Sequence, residues 1–329
     1  MQGMKPFNCD EMLSALKNAN SILLCTHINP DGDAIGSTLA MGLALKKMSK
    51  QVTFACADPI PERFYFLPCA REFVRADELQ TREYDTVLAI DAADLSRLGD
   101  CAEAFTRTAV RLQIDHHGTN PDYAQMNVVD AGAAAAGCLI LRAIDALEVP
   151  LDPDIARCLY CGISTDTGNF CFDNTDEETF LCAARLMKAG LPLNETARRM
   201  HLLREEPHVR LLGRALNTLK IFADGKCAWM CLTQEDFQHA HAGQEHTENI
   251  VNYARDLPGV EMAFLGTEQE NGGTKFSLRA QQPRDVAAVA KKFQGGGHKL
   301  ASGCKIDLPL LEACAAVEKE MLLQIEENQ

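Results

Sequence analysis

The stretch SILLCTHINPDGDAIGSTLAM, residues 21–41, joins an apolar run to an acidic turn and then to small and apolar residues at helical spacing. Ser21–Cys25 is a short apolar run bounded by turn residues, the pattern of a parallel strand covered on both faces. Asp33–Met48 reads as the helix that follows it. Working outward, Gln51–Ala55, Thr86–Ile90 and Val110–Ile114 repeat the strand pattern. Strands alternating with helices predict an α/β domain with a mainly parallel sheet flanked by helices. Helices then dominate over Gly132–Leu147, Pro153–Ile163 and Glu177–Ala189, with Asp152 and Pro153 as a cap and first-turn pair.

Leu191–Leu212 is charged, mostly helical in pattern and interrupted by Pro207; it reads as a connector. Beyond it, Ala228–Leu232, Val260–Gly266 and Lys275–Ala280 read as strands, and Val286–Phe293 and Leu308–Ile325 as helices. Asn271-Gly272 marks a hairpin turn. The expected layout is an α/β domain over residues 1–190, a helical linker over 191–214 and a smaller α+β domain over 215–329.

Composition agrees with two domains: the chain has 329 residues, 47% of them hydrophobic and 24% charged. Its net charge of −14 makes it a poor candidate for coating long DNA or RNA, which needs many Lys and Arg contacts to phosphate. A small anionic substrate remains open if positive charge is concentrated locally. The longest apolar stretch, Ala131–Ile140, is too short to span a membrane. The N-terminal stretch MQGMKPFNCDEM carries no apolar leader segment. The 14 cysteines are scattered singly among apolar neighbours, and the Cys158/Cys161 pair lies inside a helical pattern. Reduced, buried thiols in a cytoplasmic protein are the expectation.

His27, Asp31 and Asp33 share parity directly after the first strand, so an extended segment would turn them to one face. An imidazole and two carboxylates so placed suit a divalent cation. A solvated turn with Asp33 as a helix cap is the plain alternative. Three more features weigh against it. Asp91 ends one strand, Asp115-His116-His117 ends another, and Asp166 lies in STDTG, residues 164–168, after the helix holding Cys161. In open parallel sheets, ligands collect at the carboxyl ends of the strands.

The set HxxxDxD, a strand-end Asp, Asp-His-His and a later TDTG resembles the DHH phosphoesterase superfamily. Gly295-Gly296-Gly297-His298-Lys299-Leu300-Ala301-Ser302-Gly303 resembles its accessory DHHA1 domain. Together the two cover nearly the whole chain. The match is closest to the branch that cleaves very short RNA, of two to five nucleotides, and 3′-phosphoadenosine 5′-phosphate (pAp). The resemblance implies that His27 and Asp31 bind one metal ion, that Asp33, His116 and Asp166 bind another, and that Asp91 bridges them. His117 would face the scissile phosphate, with Asp115 supporting the histidines. Two divalent cations, manganese by family habit, would neutralise the four carboxylates. They would share a hydroxide that attacks phosphorus. Family members are often homodimers.

Between Lys275 and Lys305 there are seven basic residues against one acidic. Consecutive glycines let an anion approach the backbone closely. The resemblance implies that Arg279, Gly295, Gly296, Gly297 and His298 hold the terminal phosphate of the substrate. Gln294 stands where the family often has a first glycine. One domain holding metals and the other an end phosphate would favour short substrates over long strands. A phosphodiesterase for cyclic or linear dinucleotides, a pyrophosphatase and a non-catalytic nucleotide-binding protein are the competing functions. His239, His241 and His246 read as an exposed polar loop, Arg198, Arg199, Arg204 and Arg210 as a solvated helix face, and Trp229 as core.

Overall fold

The computed structural model describes residues 5–326 and divides into two compact units, with the boundary between Leu203 and Arg204. The expected linker is shared between them at that point. The first four residues of the N-terminal stretch lie outside the described residues.

The first unit runs α1 (Asp10–Asn18), β1 (Ser21–Cys25), α2 (Gly32–Lys47), β2 (Gln51–Ala55), α3 (Ala76–Leu79), β3 (Thr86–Ile90), α4 (Ala102–Arg107), β4 (Val110–Asp115) and β5 (Met126–Val129). It continues through α5 (Ala136–Ala146), α6 (Pro153–Asp166), α7 (Glu177–Lys188) and α8 (Leu193–Ala197). Its five strands are all parallel, in the order β2-β1-β3-β4-β5. The order reverses between β1 and β3, and ligands of such sheets gather at that switch point, beyond the carboxyl ends of the strands. The α/β reading therefore holds. The sequence pattern did not announce β5, a four-residue edge strand buried only in part.

Helix α2 is buried along almost its whole length. It packs tightly on α6 because both carry glycine at the contact. A Cβ on Gly36 would stand 2.4 Å from the Cys158 carbonyl oxygen, and one on Gly162 would stand 2.5 Å from Asp33 Oδ1. This close approach brings Asp33, on α2, to the end of α6 that carries Asp166. Helix α5 starts at Ala136, four residues later than its pattern predicts. The intervening residues turn instead, with Asp130 accepting from the Gly132 and Ala133 backbone N–H groups.

The second unit holds α9 (Glu206–Asn217), β6 (Lys220–Phe222), β7 (Cys227–Leu232), α10 (Gln234–Ala240), α11 (Ile250–Arg255), β8 (Met262–Glu268) and β9 (Thr274–Ala280). It ends with α12 (Val286–Lys292), β10 (Gly296–His298), β11 (Ala301–Ile306) and α13 (Leu310–Glu326). Its mixed sheet has the order β10-β11-β9-β8-β7-β6, with β7 and β8 parallel. One face packs on α12 and α13 and the other on α9, α10 and α11. Pro207 occupies the first turn of α9, where its missing N–H costs nothing, so it starts that helix rather than interrupting one. His239 lies in the last turn of α10, and His241 caps it, which corrects the reading of that stretch as a loop. Thr233 supplies the N-cap, accepting from the Asp236 N–H. Trp229 is half-buried, stacked on Phe264 at 5.7 Å, with its indole N–H donating to Glu318. All 14 cysteines are free and eleven are buried.

Candidate metal centre

The residues singled out in the first unit meet at the carboxyl ends of β1, β3 and β4. His27 lies two residues past β1. Asp91 follows β3 directly, and Asp115 is the last residue of β4. Asp31 does not continue an extended run. It is the N-cap of α2, accepting from the backbone N–H groups of Asp33 and Ala34, and Asp33 lies inside the first helical turn. The parity argument therefore fails on geometry, and so does Asp33 as the cap. The three side chains converge because the strand-to-helix turn folds back over the sheet.

Two groups of potential ligands form, His27–Asp31–Asp91 and Asp33–His116–Asp166, and Asp91 also approaches His116 and His117. His27 Nε2 lies 3.8 Å from Asp31 and 3.7 Å from Asp91. His116 Nε2 lies 3.2 Å from Asp166, 3.4 Å from Asp91 and 4.0 Å from Asp33. Asp91 thus belongs to the first group and adjoins the second through His116. It adopts a left-handed φ of 56°, an uncommon conformation for a non-glycine residue, at the bend where the chain leaves β3.

The tautomers follow from the neighbours. His27 Nδ1–H donates to the Ile28 carbonyl at 2.7 Å, and His116 Nδ1–H donates to the Ala133 carbonyl at 3.2 Å. Both rings therefore turn Nε2 inward with its lone pair free for a cation. Arg97 Nη2 stands 3.1 Å from His27 Nδ1 and cannot donate to that nitrogen while it carries its proton.

Asp33 is completely buried, and its carboxylate accepts from Ser37 Oγ at 2.7 Å, Ala136 N at 2.5 Å and Gly137 N at 3.0 Å. The last two open α5, so the positive end of that helix faces the carboxylate. Asp91 Oδ1 is buried without a hydrogen-bond partner. An orphaned carboxylate oxygen, two inward imidazole nitrogens and four gathered carboxylates fit two hard or borderline divalent cations.

The protein's own electrostatics show the same demand. Burial raises the Asp33 carboxyl, and Asp91 and Asp166 push it further up. Burial likewise raises Asp166, with Asp91 adding to it. Burial opposes charge on both histidines, yet the neighbouring Asp31 and Asp91 carboxylates lift His27 to about 10, and those of Asp166 and Asp91 lift His116 to about 12, so that without a cation a proton takes the place of one on each ring. Burial would also raise Asp91, but the same two imidazoles hold it well below the usual carboxylate range.

His117 is half-exposed, unlike His116. Its Nδ1–H donates to Asp115 Oδ1 at 2.8 Å, and Asn120 Nδ2 donates to the other oxygen of that carboxylate at 2.5 Å. The Asp115 contact raises His117 against the effect of burial. Several supporting groups left no mark in the sequence reading. The carbonyl of Ala133 and the N–H groups of Ala136 and Gly137 act through the backbone, which no residue type encodes. Ser37 and Asn120 are ordinary helix and turn residues until the fold places them.

The second unit carries the remaining candidates. His298, Ala301 and Arg279 are in register across β10, β11 and β9, so the three share one face of the sheet. Two strand spacings put His298 and Arg279 about 10 Å apart at the backbone. The glycine run is not a loop throughout, because Gly296–His298 pairs with β11 as a hairpin. Gly297 has a φ of 138°, and a Cβ there would stand 2.7 Å from the Ala301 carbonyl oxygen. Gln294 adopts a left-handed φ of 57°, so the chain follows a glycine-like path without a glycine. Burial lowers the Arg279 guanidinium, nearby Arg255 lowers it further, and Glu248 offsets part of the effect. Arg255 was not singled out from sequence, because it lies outside the basic stretch.

Comparison with known proteins follows this geometry. Residues 21–163 match the DHH family, N-terminal domain, and residues 228–325 match the DHHA1 domain. The chain is 35% identical over 298 residues to the bifunctional oligoribonuclease and PAP phosphatase NrnA of Thermus thermophilus, covering 90% of this chain and 86% of that one. The chain belongs to the DHH family. As a DHH-family phosphoesterase it is also 24% identical to the bifunctional oligoribonuclease and PAP phosphatase NrnA of Bacillus subtilis, over 90% of this chain and 92% of that one. Among solved structures, an exopolyphosphatase-related protein from Bacteroides fragilis matches with a TM-score of 0.86 at 24% identity, covering 96% and 95% of the two chains. That likeness extends the shared DHH–DHHA1 fold over both units. Among the described residues, no helix is long and apolar enough to cross a membrane.

Proposed function

We propose that this phosphoesterase hydrolyses RNA of two to five nucleotides to mononucleotides and removes the 3′-phosphate of pAp at one two-cation centre. The observation that carries the reading is the position of Asp91 between two ligand groups, with a buried oxygen that no hydrogen bond satisfies. His27 and Asp31 would hold one cation, Asp33, His116 and Asp166 the other, and Asp91 both. Manganese is the proposed metal. When bound, such a pair of cations supplies Lewis acidity toward the phosphate and a nucleophile at neutral pH.

The chain's own residues supply the rest. His117 offers Nε2 at the half-exposed side of the centre, because Asp115 occupies Nδ1. Protonated, it donates to a non-bridging phosphate oxygen as charge develops there. Asp115 and Asn120 fix the ring so that this donor needs no reorientation. On the second unit, Arg279, His298 and the backbone of Gly295, Gly296 and Gly297 would bind a terminal phosphate. The names of the relatives, both oligoribonucleases and PAP phosphatases, support these two substrates.

Initial rates in manganese on one panel test the reading. The panel holds a 5′-phosphorylated diribonucleotide, a long RNA, pAp, cyclic di-adenylate and pyrophosphate. Fast turnover of the dinucleotide and pAp with slow turnover of the long RNA is expected. Preference for the cyclic dinucleotide or for pyrophosphate would keep the centre and overturn the substrate assignment.

A further inference from the structure

The turn between β5 and α5 reaches all three members of one ligand group. The Ala133 carbonyl accepts from His116 Nδ1 at 3.2 Å. Ala136 N and Gly137 N donate to the two oxygens of Asp33 at 2.5 and 3.0 Å. Asn174 Nδ2 donates to the Ala134 carbonyl at 2.9 Å and to the Asp166 carbonyl at 3.1 Å, tying the turn to the end of α6. The other group is held by different parts of the chain: His27 by the Ile28 carbonyl, and Asp31 by the opening N–H groups of α2.

What fixes this turn is a buried ionic clamp. Arg142 lies on α5 with its side chain only 4% exposed. Its Nε and Nη2 donate to the two oxygens of Glu178 on α7, at 2.7 and 2.6 Å. Its Nη1 donates to Asp130 Oδ2 at 2.9 Å. Asp130 begins the turn. Its other oxygen accepts from Gly132 N at 3.0 Å, its carbonyl accepts from Ala133 N at 2.9 Å, and its own N–H donates to the Asp115 carbonyl at the end of β4. Apolar side chains would join α5 to α7 without the cost of burying charge, so the clamp is poorly explained by stability alone. Its geometry is directional. A guanidinium fork serves two carboxylates at fixed angles, which an ammonium cannot do.

We propose that Arg142 is a positioning residue for one of the two cation sites. By clamping Asp130 to Glu178 it sets the turn that orients Asp33, His116 and Asp166 and leaves the His27–Asp31 side untouched. The inference rests on the two-cation reading above.

Manganese binding to the chelator-treated full chain tests it, measured by titration calorimetry and by the spin-resonance signal of the free ion. Wild type, Arg142→Lys and Asp130→Asn are compared, with far-UV circular dichroism to show that each is folded. Asp130→Asn keeps the shape but loses the charge and one of the two accepting oxygens, so it breaks the clamp on the Asp130 side and serves if Arg142→Lys does not fold. Wild type is expected to bind two ions. Each folded variant should bind one ion as wild type does and the other about 10–100-fold more weakly, the range typical of lost supporting contacts around a metal ligand. Excess manganese should restore kcat with KM unchanged. Equal weakening of both ions, or an unchanged isotherm in a folded variant, would overturn the positioning role. A wild type that binds fewer than two ions would overturn the two-cation reading itself.

Discussion

Asp115 Oδ1 accepts a hydrogen bond from His117 Nδ1 at 2.8 Å, and this contact fixes which nitrogen of His117 faces outward. The carboxylate also raises the imidazole toward its charged form. Replacing His117 with Ala should lower kcat by about 10²–10³, the usual effect of losing one oriented donor to a developing charge. Manganese binding should be retained. Asp115→Asn should shift the alkaline limb of the kcat/KM profile to lower pH, because the neutral amide no longer holds the proton on His117. A pH–rate profile that does not move would remove Asp115 from this role.

The glycines of the α2–α6 contact make a sharper packing prediction. A Cβ on Gly162 would stand 2.5 Å from Asp33 Oδ1, whereas one on Gly213 meets nothing within 4 Å. Gly162→Ala should cost about 1–3 kcal/mol by overpacking and displace Asp33. Gly213→Ala, inside α9, should stabilise by about 0.5–1 kcal/mol. Thermal melts of the two variants decide the matter, and similar melting temperatures would contradict the packing account.

Metal removal should make stability fall as pH rises. His27 and His116 are raised above 6.5, to about 10 and about 12. Their stabilising contribution is complete below the unfolded value of 6.5 and is lost as pH rises through the folded values. Asp33 and Asp166 are raised by burial, so their ionisation destabilises the fold above the ordinary carboxylate range, with the same sign. Asp91 is lowered, and its contribution is lost only in strong acid. In chelator the melting temperature should therefore drop between pH 6.5 and about 10, and manganese should flatten that slope. A chelated protein that gains stability over the same interval would refute the assignment of these charges.

On the second unit, Arg279→Ala and His298→Ala should raise KM for a 5′-phosphorylated dinucleotide and leave manganese binding alone. Loss of one hydrogen bond to a charged group corresponds to about 1.5–3 kcal/mol, roughly 10–100-fold in kcat/KM. The dephosphorylated dinucleotide should be affected much less. Equal losses on both substrates would mean that the two residues do not read the end phosphate.

Much of this was legible in the sequence for a physical reason. Short apolar runs of five or six residues bounded by turns fit buried strands better than helices, which need more residues, and acids or histidines just beyond them fall at the carboxyl edge of the sheet. Asp91, Asp115, His116 and His117 follow from that rule alone. Asp31 and Asp33 came to the right place by a wrong route, because a helix start replaced the extended run. The α5 boundary was misjudged because an alanine-rich segment has high helical propensity, which the Asp130 turn overrides. The clamp of Arg142, Asp130 and Glu178 was invisible: its members are distant in sequence, and a charged residue inside a helical pattern reads as surface until burial is known.

The most direct test of the account is Asp91→Asn, assayed on the 5′-phosphorylated diribonucleotide and on pAp in the same preparation. A single centre shared by two cations predicts that both activities fall together, by at least about a hundredfold, in a protein that remains folded. If either activity persisted while the other was lost, the two reactions would not share the centre built around Asp91, and the account would be wrong.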